Sequence, residues 1–255
     1  MTPSSAAATL GARVRLAHAD AWQVEGRARL AHGGGAHAVR GARLMASGLP
    51  TPKWNNADIE ALDVDLQAIA AWYAARNVPW GVRVPAEWDL PIGQPVFTKR
   101  CFGLQLTAAV PPPRAGDIQI QRAGVADFDA YVATDAAVFD DDPVLTGRWV
   151  APVLGASRFA HWLARADGTP VGVACTVRSD ERAGPAAMLT GLGVLPPWRG
   201  QSIEQQLLQT ALRAAFADRA MLAHAHASDA DEAEFLQASG FIEVPALVVR
   251  VVRPV

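Results

Sequence analysis

Apolar and polar positions alternate over residues 118–121 (IQIQ), which predicts a short strand. Asp127 then precedes Phe128, Tyr131, Val132, Ala136 and Phe139, whose spacings of three and four put them on one helical face. A second helix is predicted over 143–154. Strands follow over 159–165 and 171–177, with Asp167-Gly168 as the hairpin turn between them. Another apolar strand covers 187–194 and is ended by Pro196-Pro197. Ile203, Leu207, Leu208, Ala211, Leu212 and Ala215 mark one face of a long helix. A strand over 220–225 precedes Ser228 and Asp229, good N-cap residues for a helix that carries Ala233, Phe235 and Leu236 and stops at Gly240. Residues 247–252 (LVVRVV) form the closing strand. The predicted order is β-α-α-β-β-β-α-β-α-β.

The first half is less regular. It predicts a helix over 6–19, a strand over 39–46, a loop over 51–56 (TPKWNN) and strands over 80–84 and 100–106. Val64, Ile69, Trp72 and Tyr73 mark an amphipathic helix, and Gly33-Gly34-Gly35 reads as a flexible joint. Pro111-Pro112-Pro113 favours polyproline geometry and reads as a linker. The expected organisation is a smaller α/β domain at 1–110, a linker at 111–116 and a second domain at 117–255. The expected fold class is α/β of the α+β kind, a mixed and mostly antiparallel sheet flanked by helices.

Composition narrows the function classes. The chain has 255 residues, a length that suits two domains. With 51% hydrophobic and 19% charged residues, extensive disorder is excluded. Twenty-three basic against 25 acidic residues give a net charge of −2, so no basic footprint for nucleic acid is present. Cys101 and Cys175 are the only cysteines and form no CxxC pair, so neither a disulfide framework nor a metal site is expected. There is no run of 18 apolar residues, so no membrane span is expected. The opening MTPSSAAATLGARVRL lacks a basic start followed by an apolar core, and a cytoplasmic location is expected. Lys53 and Lys99 are the only lysines, and with the abundant alanine this bias suggests a GC-rich bacterial genome.

The stretch 194–208 (VLPPWRGQSIEQQLL) carries the chemistry. A strand ends, the chain turns, and a helix starts at once. A helix start leaves several N–H groups without intrahelical partners, and the helix dipole adds partial positive charge. Such a turn suits phosphate oxygens. Gly200 permits close backbone approach, and Arg199 can add a charge-assisted contact. A plain strand-to-helix turn needing one glycine is the competing reading.

Val-x-Pro-x-aromatic-Arg-Gly before a helix resembles the acyl-CoA pyrophosphate loop of the GNAT superfamily of N-acetyltransferases. Gly240-Phe241 resembles the pair that follows the last helix in that family, and the element order is similar. The resemblance covers about residues 117–253. More weakly, TPKWNN and VPWGVRVP resemble the leading domain of tandem-type members, a reduced acetyltransferase-like unit without its own cofactor loop. The resemblance implies an acyl-CoA N-acyltransferase fold. The strand ending at Val194 would splay from the next one, with the pantetheine arm on backbone groups near Leu192 and Val194. The diphosphate would sit on N–H groups of Arg199, Gly200, Gln201, Ser202, Ile203 and Glu204. An amine would attack the thioester directly, without metal.

Three departures stand out. The family's loop has small residues where this chain has Ser202 and Glu204, and a carboxylate repels a diphosphate. The tyrosine that many members place four residues before the Gly-Phe pair is Leu236 here. The strand over 186–194 carries no acidic side chain to serve as base. His224 and His226 alternate on their strand; His226 could relay a proton, with the bland alternative that both rings are solvated. Ser228 and Asp229 occupy the place of a residue touching the cofactor arm, Ser228 being the second catalytic candidate and Asp229 a cofactor candidate. Simple helix capping is the alternative for both. Asp140-Asp141-Asp142 could attract an amine, or form a solvated loop before Pro143. Cys175 suits core packing. Trp149, Trp162 and Trp198 could line a cleft or fill cores.

The expected function is acetyl transfer from acetyl-CoA to a primary amine of a small molecule or peptide, with a homodimer left open. The alternative, motivated by Leu236 and Glu204, is an acyl-CoA-binding sensor without turnover. A Rossmann nucleotide site is disfavoured because no G-x-G-x-x-G follows a strand.

Overall fold

The computed structural model describes residues 5–106 and 118–252. In chain order its elements are α1 (Ser5–Ala28), β1 (Gly35–Val39), β2 (Ala42–Ala46), β3 (Asn55–Ile59), α2 (Leu66–Ala74), β4 (Trp80–Pro85) and β5 (Gln94–Gln105). Next come β6 (Ile118–Arg122), α3 (Phe128–Phe139), α4 (Pro143–Val150), β7 (Phe159–Ala166), β8 (Thr169–Ser179) and β9 (Ala186–Val194). The chain closes with α5 (Ile203–Ala217), β10 (Leu222–Ala227), α6 (Ala230–Ala238) and β11 (Ile242–Val252). From β6 onward this is the order the hydrophobic pattern predicts.

The elements form two compact units that do not follow chain order. The first comprises Met1–Leu104, Glu181–Ala183 and His224–Val255; the second comprises Gln105–Asp180 and Gly184–Ala223. The sequence suggests linear domains instead, and its linker at 111–116 lies outside the described residues. The last strand explains the difference. β11 pairs antiparallel with β4 (Val248 opposite Val84) and with β5 (Val244 opposite Cys101), so the end of the chain completes the first unit. Its register with β5 shifts between Val244 and Leu247, around Pro245, which has no N–H to give the ladder.

In the first unit the strands run β1-β2-β3-β4-β11-β5. Only the β3–β4 pair is parallel, and α2 provides the crossover that a parallel pair requires. Leu44, Ile69, Tyr73 and Val82 are fully buried there. Tyr73 stacks on Trp80 at 4.8 Å, and its hydroxyl donates to the Met45 carbonyl at 2.9 Å.

Three local predictions change. The helix expected over 6–19 continues to Ala28 because its buried polar residues find partners: Gln23 donates to the Leu44 carbonyl at 2.7 Å, and Glu25 pairs with Arg29 one turn on. The single strand expected over 39–46 is the hairpin β1–β2, turning at Gly41 (φ 73°), and Gly35 opens its first strand rather than a flexible joint. The expected loop 51–56 is one 3-10 turn, Pro52–Trp54, running straight into β3. Asn55 fixes that turn, accepting from Ser47 N–H at 2.8 Å and donating to the carbonyls of Leu49, Thr51 and Pro79 at 2.7–3.0 Å.

In the second unit the antiparallel order is β9-β8-β7-β6. The β7–β8 turn is Asp167-Gly168, with both φ values positive (47° and 80°), as a tight primed hairpin turn requires. Leu163, Val171, Val173, Ile203 and Leu207 are fully buried.

Candidate functional site

The loop into α5 is built from its prolines and two left-handed residues. Pro196 and Pro197 open a 3-10 turn that ends at Trp198. Arg199 leaves it extended (φ −64°, ψ 150°), and its Nε donates to the Val194 carbonyl at 3.3 Å. Gly200 has φ 76°, and Ser202, the N-cap of α5, has φ 61°. The Ser202 side chain caps nothing, and its carbonyl accepts the first helical bond from Gln206 at 3.1 Å. The N–H groups of Gly200, Gln201 and Ser202 donate to no main-chain acceptor among the described residues. All three residues and Arg199 are exposed, whereas Ile203 is fully buried and anchors the helix start. A Cβ added at Gly200 would meet nothing within 4 Å. The loop is therefore an open cradle of donors at a helix N-terminus, with a guanidinium beside it. Glu204 is half-buried in the first turn of α5.

Leu192 and Val194 lie on β9 just upstream. Between Val173 and Cys175 the β8–β9 register slips, because Val173 faces Gly193 while Cys175 faces Thr190. β9 thus carries one extra residue there, a bulge that bends the strand and re-aims its main chain. Ala174 sits opposite the bulge, and its carbonyl accepts from the Tyr131 hydroxyl at 3.3 Å. A Cβ on Gly193 would lie 2.4 Å from Val138 Cγ1, so only glycine lets α3 press this close to β9. Tyr131 is thereby spent on the fold, and burial pushes its phenol well above the ordinary value. The bulge and its tyrosine brace went unread in the sequence, although Gly191 and Gly193 inside a strand pattern are its signature.

His224, His226, Ser228 and Asp229 belong to the first unit. His224 and His226 do face the same side of β10: both rings stand edge-on to His18 of α1, with centroids 6.1 and 6.4 Å away. They are not solvated. His18 and His224 are buried and His226 is half-buried. Burial, reinforced by Lys99, lowers the His224 pKa to about 3. Burial, with Lys99, Arg83 and His224, likewise pulls His226 well below its ordinary value. The sequence expectation of an imidazole titrating near working pH therefore meets a ring held neutral. Asp58 and Arg83 form a bidentate pair beside them, both contacts at 2.7 Å. Lys99 and Cys101 on β5 complete the cluster. Sequence reading missed Lys99, Arg83 and Asp58, which a pattern of strands and helices does not bring together.

Asp229 is the N-cap of α6, accepting from Glu232 N–H at 2.9 Å, while the Ser228 N–H donates to the Glu232 carboxylate at 2.7 Å. Leu236 is buried in the core. Of the aspartate run, Asp142 caps α4 through Val144 and Leu145 N–H at 2.7 and 3.0 Å, and Asp140 ends α3 in a left-handed conformation. Among the described residues no group of three or more His, Cys, Asp or Glu could hold a metal ion. No described helix is long and apolar enough to cross a membrane.

The fold, a mixed and mostly antiparallel sheet flanked by helices, is of the acyl-CoA N-acyltransferase kind. Residues 130–241 match the acetyltransferase (GNAT) family model, so this stretch of the chain is similar to that family. A GCN5-related N-acetyltransferase from Kribbella flavida superposes with a TM-score of 0.69 at 16% identity, over 96% of this chain and 97% of that one. A functionally unknown conserved protein from Staphylococcus epidermidis gives 0.65 at 12% identity, over 86% and 93%. A GCN5-related N-acetyltransferase from Sphaerobacter thermophilus gives 0.59 at 15% identity, over 95% and 93%. At such identities the similarity is one of fold. The comparison with curated proteins returns no match.

Proposed function

We propose that the protein transfers an acetyl group from acetyl-CoA to a primary amine. The observation that carries the reading is the cradle at Gly200, Gln201 and Ser202, whose N–H groups find no main-chain acceptor at the start of a helix. Three donors, the helix dipole and Arg199 suit a diphosphate. Ile203 and Glu204 extend the N–H row into the first turn, and the bulge at Leu192 offers a re-aimed main chain for the amide-bearing arm, with Val194 at the strand end. Metal is not part of this reading.

Chemically, attack on a thioester needs a neutral amine and a proton for the departing thiolate. His226 is our candidate proton carrier: its ring is neutral and its Nδ1 has no hydrogen-bond partner among the described residues. A ring so depressed is a weak base, so its contribution is modest unless a nearby anion offsets the charge it gains. The exposed Ser228 hydroxyl is the second candidate, and Asp229 a cofactor contact in addition to its capping role. The acceptor is a small-molecule or peptide amine. Calorimetric titration with acetyl-CoA, followed by thiol-release assays over amines and amino acids, tests the reading. Binding with turnover supports it. Binding without turnover over a broad panel favours the sensor reading, which Leu236 and Glu204 motivate.

A further inference from the structure

The cluster around Lys99 contains more polar hydrogen-bonding capacity than the protein satisfies. The two carboxylate oxygens of Asp58 are both taken by Arg83. Lys99, which is 7% exposed, makes no ion pair among the described residues, and its ammonium lies 5.9 Å from the Trp22 ring centroid. Arg83 stacks over the same ring at 4.3 Å. Around them His18 Nε2, His224 Nε2 and His226 Nδ1 are buried atoms without hydrogen-bond partners. His18 and His224 are only 4% and 1% exposed, and His18 Nε2 stays 4.0 Å from Asp58, too far for a hydrogen bond. An unmatched buried polar group costs roughly 1–3 kcal/mol, and three such atoms gather in this one cluster.

The charges select the missing partner. Arg83 and Asp58 cancel, the imidazoles are neutral, and Lys99, when protonated, is one uncompensated positive charge. An ammonium ligand would meet Lys99 and Arg83. A neutral hydroxyl would leave the charge unbalanced. A single anionic group with two planar oxygens matches both the charge and the donors.

We infer that Lys99, His18, His224 and His226 form a binding site for the carboxylate of a small molecule, Lys99 supplying the charge and the imidazoles the N–H donors. His226 is half-buried, while His18 and His224 are buried. The inference concerns the first unit alone and holds whether or not acetyl transfer occurs. Burial and Arg83 lower the Lys99 pKa to about 7, against the opposing pull of Cys101 and Asp58. With His18 and Trp22 facing it from α1 and His224 and His226 from β10, no other carboxylate among these groups restores its charge. Carboxylate binding above neutral pH therefore takes up a proton.

The test titrates acetate, benzoate and inorganic phosphate separately into the full chain. Imidazole C–H resonances are followed by NMR, and heat is measured in two buffers of different ionisation enthalpy. Saturable binding of acetate or benzoate is expected, with shifts at His18, His224 and His226 but not at His32, His37 or His161, and proton uptake at pH about 8. Lys99→Met should weaken binding at least about tenfold, while Lys99→Arg should stay within about threefold. If Lys99→Met does not fold, His226→Gln serves instead, with an expected weakening of about threefold. The inference is overturned by no saturation, by phosphate alone saturating, by shifts confined to the other three histidines, or by undiminished binding in a folded Lys99→Met.

Discussion

Gly200 and Ser202 flank Gln201 with φ values of 76° and 61°, so the turn into α5 enters the left-handed region twice within three residues. Glycine occupies one of these positions without penalty and serine holds the other under strain. Ser202→Gly should therefore stabilise the protein by about 1 kcal/mol and raise the urea midpoint at unchanged slope. Gly200→Ala should lose about the same, for conformational rather than steric reasons, since its Cβ would meet open space. Gly200→Trp should also fill the cradle and abolish acetyl-CoA binding. Undiminished affinity in that variant would show the donor site to be elsewhere.

Glu204 sits where two electrostatic effects oppose each other. A carboxylate in the first turn favours the helix, by about 0.3–1 kcal/mol, yet repels a diphosphate held by the same N–H groups, by about 1 kcal/mol. Glu204→Gln should lower stability slightly and tighten acetyl-CoA binding about fivefold. Calorimetry and urea unfolding on one preparation read both signs. Weaker binding in the glutamine variant would mean that the carboxylate points away from the ligand and serves the helix alone.

The second half was legible in the sequence because its elements bury one face each. The 3.6-residue stripe from Ile203 to Ala215, the Asp167-Gly168 turn and the apolar run of β9 each carry a local rule. The turn into α5 was legible for the same reason: proline, glycine and a helix start act locally. α1 was under-read because its interior residues Asp20, Gln23 and Glu25 break the apolar stripe, and what compensates them lies far along the chain. Asp20, for instance, accepts from Arg182 at 3.0 Å and Ala183 N–H at 3.1 Å. The Lys99 cluster is assembled from α1, β3, β4, β5 and β10, and no local pattern announces it. His224 and His226 were visible as alternating residues, but the cations that depress them were not.

The Arg83–Asp58 pair is a liability if halved. Asp58→Asn would leave a guanidinium that is 2% exposed without its counter-charge, beside Lys99. We expect a loss of about 3–5 kcal/mol. Replacing both residues, Arg83→Met with Asp58→Leu, should recover most of it, because two desolvated charges are removed together. Chemical unfolding of the two single variants and the double variant gives the coupling directly. A double variant no better than Asp58→Asn would show that the pair organises its neighbours rather than merely balancing charge.

Acid should destabilise the folded chain through its buried histidines. Burial first, then neighbouring cations, lowers the pKa of His18, His224 and His226, with His224 at about 3. The unfolded chain protonates the same rings near 6.5. Between these values the unfolded state binds protons that the folded state refuses, so stability is fully present above about pH 6.5 and is lost as pH falls toward 3. Each fully neutral ring contributes a slope of about 1.4 kcal/mol per pH unit. Lys99 acts in the same direction at higher pH: with its folded value at about 7 against about 10.4 unfolded, stability rises as pH climbs through that window. Urea unfolding at a series of pH values should show both limbs. His224→Asn should remove about one proton from the acid limb and leave the alkaline rise intact, whereas Lys99→Met should flatten the alkaline rise and, by removing a cation that depresses all three imidazoles, also weaken the acid limb. An acid limb unchanged by His224→Asn would mean that His224 is protonated in the folded chain, and the neutral cluster on which the carboxylate site depends would be lost with it.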